Sequence, residues 1–351
     1  MNIDFLKKLS DADGIAGNES EVRTVILEEI ASLQEDLKIQ TDGLGSLIVT
    51  KEGASDASIM LCGHMDEVGF MVRNIAENGL IGLIGLMVVG GVKPHAQQLQ
   101  SVHITTFSGS KHFGFIQGKF EDGLTSELYC DIGANSAKEV SALGIEIGNM
   151  VAFDAKFQKL GPEDTFAGKA LDDRLGCFVL GELIKELKEV QLPLTVHFAF
   201  TSSEEVGIRG AKTATQMMNP DAVFVVDVAT YSSDWVRDHN NQRQLGKGPI
   251  LTHFDRTLSP NQKLSALVRE TAKELGLPLQ LDMFTTGGTD GGEAHKVNEG
   301  KPTVVSILPV RNGHCAYSIM KGRDIEQMIA LYMGILNSLT LEKLQDIKSY
   351  I

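Results

Sequence analysis

The stretch Phe198–Gly210 reads FAFTSSEEVGIRG. A run of aromatic and small apolar residues stops at two serines, and two adjacent glutamates follow before Gly207 releases the chain. Together with the preceding residues, LTVHFAFT is short, apolar and bounded, which reads as a buried strand. Two carboxylates side by side where such a strand ends repel each other. They need either open water or a strong positive charge close by. What the rest of the chain brings to the same place decides between the two.

On both sides of this strand the texture is that of an α/β protein. Helical periodicity is expected over about 175–189 before it and in GAKTATQMM after it, and the run AVFVVDVA is a further strand. A helix over 260–275, a strand in LQLDMF, a glycine-rich turn TTGGTDGG, a strand TVVSIL and a long terminal helix from about Asp324 complete the second part. Near the start, periodicity predicts a helix over 19–37 capped by Asn18, then a hairpin of LKIQT and SLIVTK joined by DGLG. Strands separated by helices of this length imply a largely parallel sheet covered on both faces. From about residue 69 to 161 the rhythm changes to short β-branched runs with glycine turns (HITTFSG, HFGFIQGKF, NMVAFDAKF), the pattern of a small β-barrel or sandwich. The expected fold is therefore α/β. Residues 1–68 and 162–351 form a mostly parallel sheet flanked by helices, and residues 69–161 are an inserted small β-barrel domain.

Bulk properties narrow the function. A length of 351 residues suggests more than one core, and 42% hydrophobic content is globular. The net charge of −14 argues against nucleic acid or an anionic membrane surface as partner. Cys62, Cys130, Cys177 and Cys315 lie far apart without a C-x-x-C pair, as expected of a reduced cytoplasmic protein. No apolar leader opens the sequence, and the greasy run Gly79–Val92 is too short and glycine-rich to span a bilayer; it reads as strands with tight turns.

In open parallel sheets, chemistry gathers beyond the carboxyl ends of the strands. Four segments meet that rule: LCGHMDEVG with His64 and Asp66, FAFTSSEEVG with Glu204 and Glu205, VFVVDVA with Asp227, and SILPVRNGHCA with His314. A fifth, GKALDDRLG, places Asp172 and Asp173 in the turn before a helix. Singly, each has an ordinary structural reading: a hydrogen-bonded histidine, a helix cap, a solvated acidic face. Together they offer imidazole and carboxylate donors without thiolates, which suits Zn²⁺, Co²⁺ or Mn²⁺. The set exceeds what one four-coordinate ion needs and fits two divalent ions sharing a carboxylate. One of the paired glutamates then ligates, while its neighbour stays free as a general base.

The motifs GHMDEVGFMV, GKALDDRLGC, TSSEEVGIRGA, GGTDGG and RNGHC, in that order, resemble the tetrahedral-aminopeptidase and glutamyl-aminopeptidase family of dinuclear metallopeptidases. The resemblance spans essentially the whole chain and implies a zinc-aminopeptidase-like fold. It implies that Asp172 bridges two ions, that His64 and Asp227 complete one site, and that Glu205 and His314 complete the other. It also implies Glu204 as general base, Asp66 as the carboxylate orienting His64, and a cis peptide between Asp172 and Asp173. Dimers formed through the β insertion and assembled into a tetrahedral dodecamer are a further implication. The chain departs from many relatives after the last histidine, where it reads HCAYSIM.

The expected activity is removal of amino-terminal residues from short peptides. A deacylase or dipeptidase using the same ions is the alternative enzyme, and a non-catalytic assembly or binding protein is the alternative of another class. The TTGGTDGG turn lacks the lysine of a phosphate-binding loop. Gly288 and Asp290 are therefore expected to shape a substrate pocket, with Asp290 capping the following helix. Arg311 is a candidate substrate contact, and His295 is expected to be a hydrogen-bonded helix histidine.

Overall fold

The computed structural model describes residues 1–86, 91–121, 124–231 and 243–350. At its centre four parallel strands lie side by side: Thr195–Thr201, Ser58–His64, Ala222–Tyr231 and Thr303–Arg311. They belong to an 11-stranded sheet whose two ends are antiparallel, with Ile250–Thr252 branching antiparallel from Thr303–Arg311 and carrying Gln280–Asp282 in parallel. On one side Leu47–Lys51 pairs with Thr195–Thr201 and forms the expected hairpin with Lys38–Thr41. On the other, Ser318–Lys321, Thr165–Gly168 and Gln158–Leu160 follow in turn. Every residue of Ser58–His64 is buried, the continuous pattern of a strand covered on both faces.

Alternation along the strands divides the interior into two layers. Leu61, Phe198, Phe200 and Phe224 face the helices Ile3–Asp11, Leu171–Glu186 and Gly322–Ser338 in the larger core. Met60, Cys62, Ala199 and Val223 face the other way, against Ala211 and Ala214 of the helix Arg209–Met218. The small side chains on this second face let that helix lie close to the sheet.

The strands Gly69–Ile75, Ile81–Leu86, Leu124–Asp131, Lys111–Glu121, Gln100–Thr105 and Met150–Phe153 close a barrel in that order. It has its own apolar core, with Phe70 and Phe153 packed edge to face at 5.5 Å. Closure gives each of the six strands a paired neighbour on both sides. Part of the greasy run around residue 85 is the strand Ile81–Leu86; residues 87–90 lie outside the described residues.

Three sequence-based expectations differ at their boundaries. The first long helix stops at Glu29 and continues as a 3₁₀ turn, Ala31–Asp36. Ile30 and Leu33 are the buried residues there, and their three-residue spacing matches the tighter 3₁₀ repeat. Asn18 does not cap this helix; Glu19 occupies the cap position without a cap bond. The terminal helix is two helices, Gly322–Ser338 and Leu341–Lys348, because Thr340 accepts from the Lys343 amide and starts a new one. The helix expected over 175–189 ends at Glu186; ahead of it the span Leu171–Glu186 is kinked at Asp172 and Asp173, whose backbone is not helical.

Candidate metal centre

Strand register accounts for the first convergence. Thr201 pairs with His64, and Val225 pairs with Cys62, so Asp227, two residues on, lies level with His64 across the parallel pair. Glu204 and Glu205 follow Thr201 in a loop where Ser203 has φ 59° and Gly207 φ 123°. That loop is held from beneath. Asp66 accepts from the Glu204 amide at 2.9 Å and the Glu205 amide at 3.1 Å, and Glu19 accepts from the Ser203 amide and the Ser202 hydroxyl. Asp172 and Asp173 have non-helical backbone at the start of Leu171–Glu186 and are joined by a cis peptide. Asp173 turns inward and accepts from the amides of His64 and Gly176 at 3.0 and 2.9 Å. Gly176 has to be glycine for this approach, since a Cβ there would meet Asp173 Oδ2 at 2.2 Å.

The two histidines meet on one carboxylate. His64 Nε2 lies 3.2 Å from Asp172 Oδ1, and His314 Nε2 lies 3.1 Å from Asp172 Oδ2. The far ring nitrogens are fixed: His64 Nδ1 donates to the Asp66 carbonyl and His314 Nδ1 to the Gly91 carbonyl, both at 3.0 Å. Both rings thus present Nε2 to the cleft. Glu205 Oε1 is 3.6 Å from His314 Nε2, and Glu204 Oε2 is 3.9 Å from His64 Nε2. Potential donor atoms of His64, Asp172 and Glu205 lie within 4.8 Å of one another, as do those of His64, Asp173 and Asp227. The Asp66 carboxylate is 3.5 Å from His64 Nδ1, so its closer partners are the two glutamate amides.

Electrostatics show a site rich in negative charge. Burial pushes the carboxyls of Glu204 and Asp227 well above their usual range, and neighbouring carboxylates add to this. Burial likewise lifts Glu205 to about 7. Burial works against a charged His314, yet Glu205 and Asp172 raise it to about 10. The same contest leaves His64 well above the ordinary imidazole value through Asp172 and Asp66. Protons therefore balance the charge here, in places where dications can displace them. Glu204 Oε1 and Glu205 Oε1 are buried without a hydrogen-bond partner, which in a folded interior points to an ion or water as partner.

These groups line a cleft of about 250 Å³. Gly288 lies on its wall. Asp290 lies behind it, buried, accepting from the Thr201 hydroxyl rather than capping Gly291–Ala294. Among the described residues Arg311 is not on the wall, and Lys93 and Arg243 are the lysine and arginine that are. Neither carries a spacing signal in the sequence. Lys93 arrives because its amide donates to the His314 carbonyl, and Arg243 because Asp282 and the Thr230 carbonyl hold it beside Phe284. His295 is a hydrogen-bonded helix-end residue, its Nδ1 donating to the Gly291 carbonyl at 2.8 Å.

Comparison with known proteins decides the family. Residues 45–331 match the M42 glutamyl aminopeptidase family. The chain belongs to it. FrvX of Escherichia coli (strain K12), whose aminopeptidase name is provisional, is 35% identical over 361 aligned residues, covering 100% of this chain and 99% of FrvX. The glutamyl aminopeptidase of Lactococcus lactis subsp. cremoris (strain MG1363) is 31% identical, covering 99% of each chain. Among solved structures, the TET1 peptidase of Pyrococcus horikoshii, which can assemble into a tetrahedron or a large octahedral shell, superposes with a TM-score of 0.85 at 28% identity, covering 96% of this chain and 99% of that one. As an M42 member the chain is an aminopeptidase, a hydrolase, and M42 peptidases are metal-dependent. No described helix is long and apolar enough to cross a membrane.

Proposed function

We propose that the cleft holds two divalent ions, Zn²⁺, Co²⁺ or Mn²⁺, and removes single residues from the amino ends of short peptides. The observation that carries this reading is the placement of His64 Nε2 and His314 Nε2 on opposite oxygens of Asp172. Asp172 would be the shared ligand, His64 and Asp227 would hold one ion, and Glu205 and His314 the other. Imidazole and carboxylate donors with orphaned buried oxygens fit such ions. Bound there, the ions supply Lewis acidity toward the scissile carbonyl and make water a better acid.

Glu204 is the general base in this reading. It is 4% exposed, is held by its own amide on Asp66, and keeps one carboxylate oxygen without a protein partner. It takes a proton from the attacking water and returns it to the leaving amine. Burial raises the proton affinity of Glu204, which makes it a better acceptor of that proton. Asp66 positions the base and its neighbour through their amides, and Asp173 positions His64 through its amide. The acidic wall suits the free α-ammonium of a peptide and disfavours an acylated one.

Arg243 is already paired with Asp282, so among the described residues Lys93 is the lining cation on offer to the first side chain. This supports a preference for acidic over basic amino-terminal residues. The barrel, residues 69–161, is proposed as the dimerisation unit of a dodecameric assembly, supported by the shells named for the Pyrococcus peptidase. Four free cysteines support a cytoplasmic setting.

The test is an assay of the chain, reconstituted with each ion, on free-amine peptides and their N-acetylated counterparts. Cleavage of the free-amine series alone supports the aminopeptidase. Cleavage of the acetylated series instead supports a deacylase, and no cleavage of either with ions bound supports a non-catalytic role.

A further inference from the structure

Beneath the cleft, the segments that carry His64 and Asp172 are tied together by four buried charged side chains that take no part in the chemistry above. Lys169, Asp13, Glu67 and Arg174 are at most 2% exposed. Lys169 Nζ lies 2.6 Å from Glu67 Oε1, 3.0 Å from Asp13 Oδ1 and 2.9 Å from the Ala12 carbonyl. Arg174 donates to the Met65 carbonyl at 2.7 Å and to the Ala12 carbonyl at 3.0 Å, and lies 3.4 Å from Glu67 Oε1. Glu67 also accepts from the Gly14 amide at 3.0 Å. Lys169 and Arg174 bracket Asp172 in sequence, while Met65 and Glu67 lie one and three residues after His64.

Two cations and two carboxylates leave the group neutral. For stability alone, apolar side chains of similar size would serve such a place at least as well. What an ion cluster adds is fixed distances, because each partner has one position in which it satisfies the others. The outer side of the cluster belongs to the barrel. Lys111 Nζ lies 2.7 Å from Asp13 Oδ2 and 2.8 Å from Glu21 Oε2, and His103 Nδ1 lies 3.7 Å from Asp13 Oδ2. A cation from the barrel thus completes a network that ends next to both segments of the metal centre.

We propose that Lys169 and Glu67 are positioning residues that set the spacing between His64 and Asp172 at which both hold one ion, and that Lys111 makes this spacing depend on the barrel's seat against the sheet. The inference rests on the metal reading proposed above but not on the peptidase assignment. The test uses the full chain stripped of metal and titrated with Co²⁺ in the absence of peptide, followed by calorimetry and visible absorption. Glu67→Gln is expected to weaken binding of the ion shared by His64 and Asp172 by about 10–100-fold and to alter the Co²⁺ spectrum. Lys111→Met, at a half-exposed site, is expected to weaken it about tenfold with the metal-free melting temperature little changed. Lys169→Met is expected to behave like Glu67→Gln; if it does not fold, the other two variants decide.

Folded variants with the parent's Co²⁺ affinity and spectrum overturn the proposal, even if they melt earlier, because the cluster is then structural only. A parent chain that binds Co²⁺ yet cleaves no peptide refutes the peptidase reading and leaves this comparison intact. A parent chain that binds no Co²⁺ overturns the metal reading and the proposal with it.

Discussion

Removing divalent ions from the chain is expected to lower its melting temperature by about 7 °C, and restoring them to reverse the loss. An ion that binds only the folded chain adds about 2.7 kcal/mol of stability when its free concentration is a hundred times its Kd. For 351 residues, an unfolding entropy of roughly 2.1 cal/mol/K per residue gives about 0.7 kcal/mol/K for the whole chain. Each ion is then worth about 4 °C. The dependence on pH has a definite sign. Without ions, His314 sits at about 10 and Glu205 at about 7, so bound protons must leave when metal arrives. The shift should therefore be larger at pH 8 than at pH 6. Calorimetric melting of the chelated chain, with and without Co²⁺, measures both effects. His314→Ala is expected to retain about half the shift. An unchanged melting temperature at both pH values, or the full shift surviving in Asp172→Asn, would refute the reasoning.

Further outcomes follow from single groups. Glu204→Gln is expected to lower kcat roughly 10²–10⁴-fold while metal content per chain, measured by elemental analysis, stays at the parent value. Lys93→Glu is expected to lower the ratio of glutamyl to lysyl chromogenic substrate cleavage by at least tenfold, about the worth of one hydrogen bond to a charged group; an unchanged ratio places the preference elsewhere. His197 is buried against the Thr50 hydroxyl, and burial depresses it to about 4. The unfolded residue titrates near 6.5, so stability present above that pH is lost as pH falls to about 4, by roughly 3 kcal/mol. His197→Gln should remove that slope, read as the difference between variant and parent urea midpoints at pH 4.5 and 7.

How much of this was legible in the residues follows from how each was placed. His64, Asp227 and the Glu204–Glu205 pair could be read because apolar parallel strands announce their carboxyl ends, and those ends converge by geometry alone. The roles of Glu19, Glu67 and Lys169 could not be read. The partners that tie them to the centre are backbone amides, carbonyls and charges more than 50 residues away, which leave no periodic mark. Asp66 was legible as a polar residue at the same strand end as His64, but its grip on two glutamate amides depends on how two loops face each other. Lys93 reaches the cleft from the barrel's connection only through its amide bond to His314. The turn after Ile30 escaped notice because a three-residue spacing of buried side chains imitates a helix over so short a span.

Anomalous diffraction from crystals soaked in Co²⁺ or Zn²⁺ puts the proposed centre to the most direct trial. Two peaks are expected, one on either side of Asp172, the first within coordinating distance of His64 and Asp227 and the second of Glu205 and His314. A single peak that leaves either histidine unliganded, or no peak with both imidazoles still resting on Asp172, would contradict a dinuclear centre in this cleft.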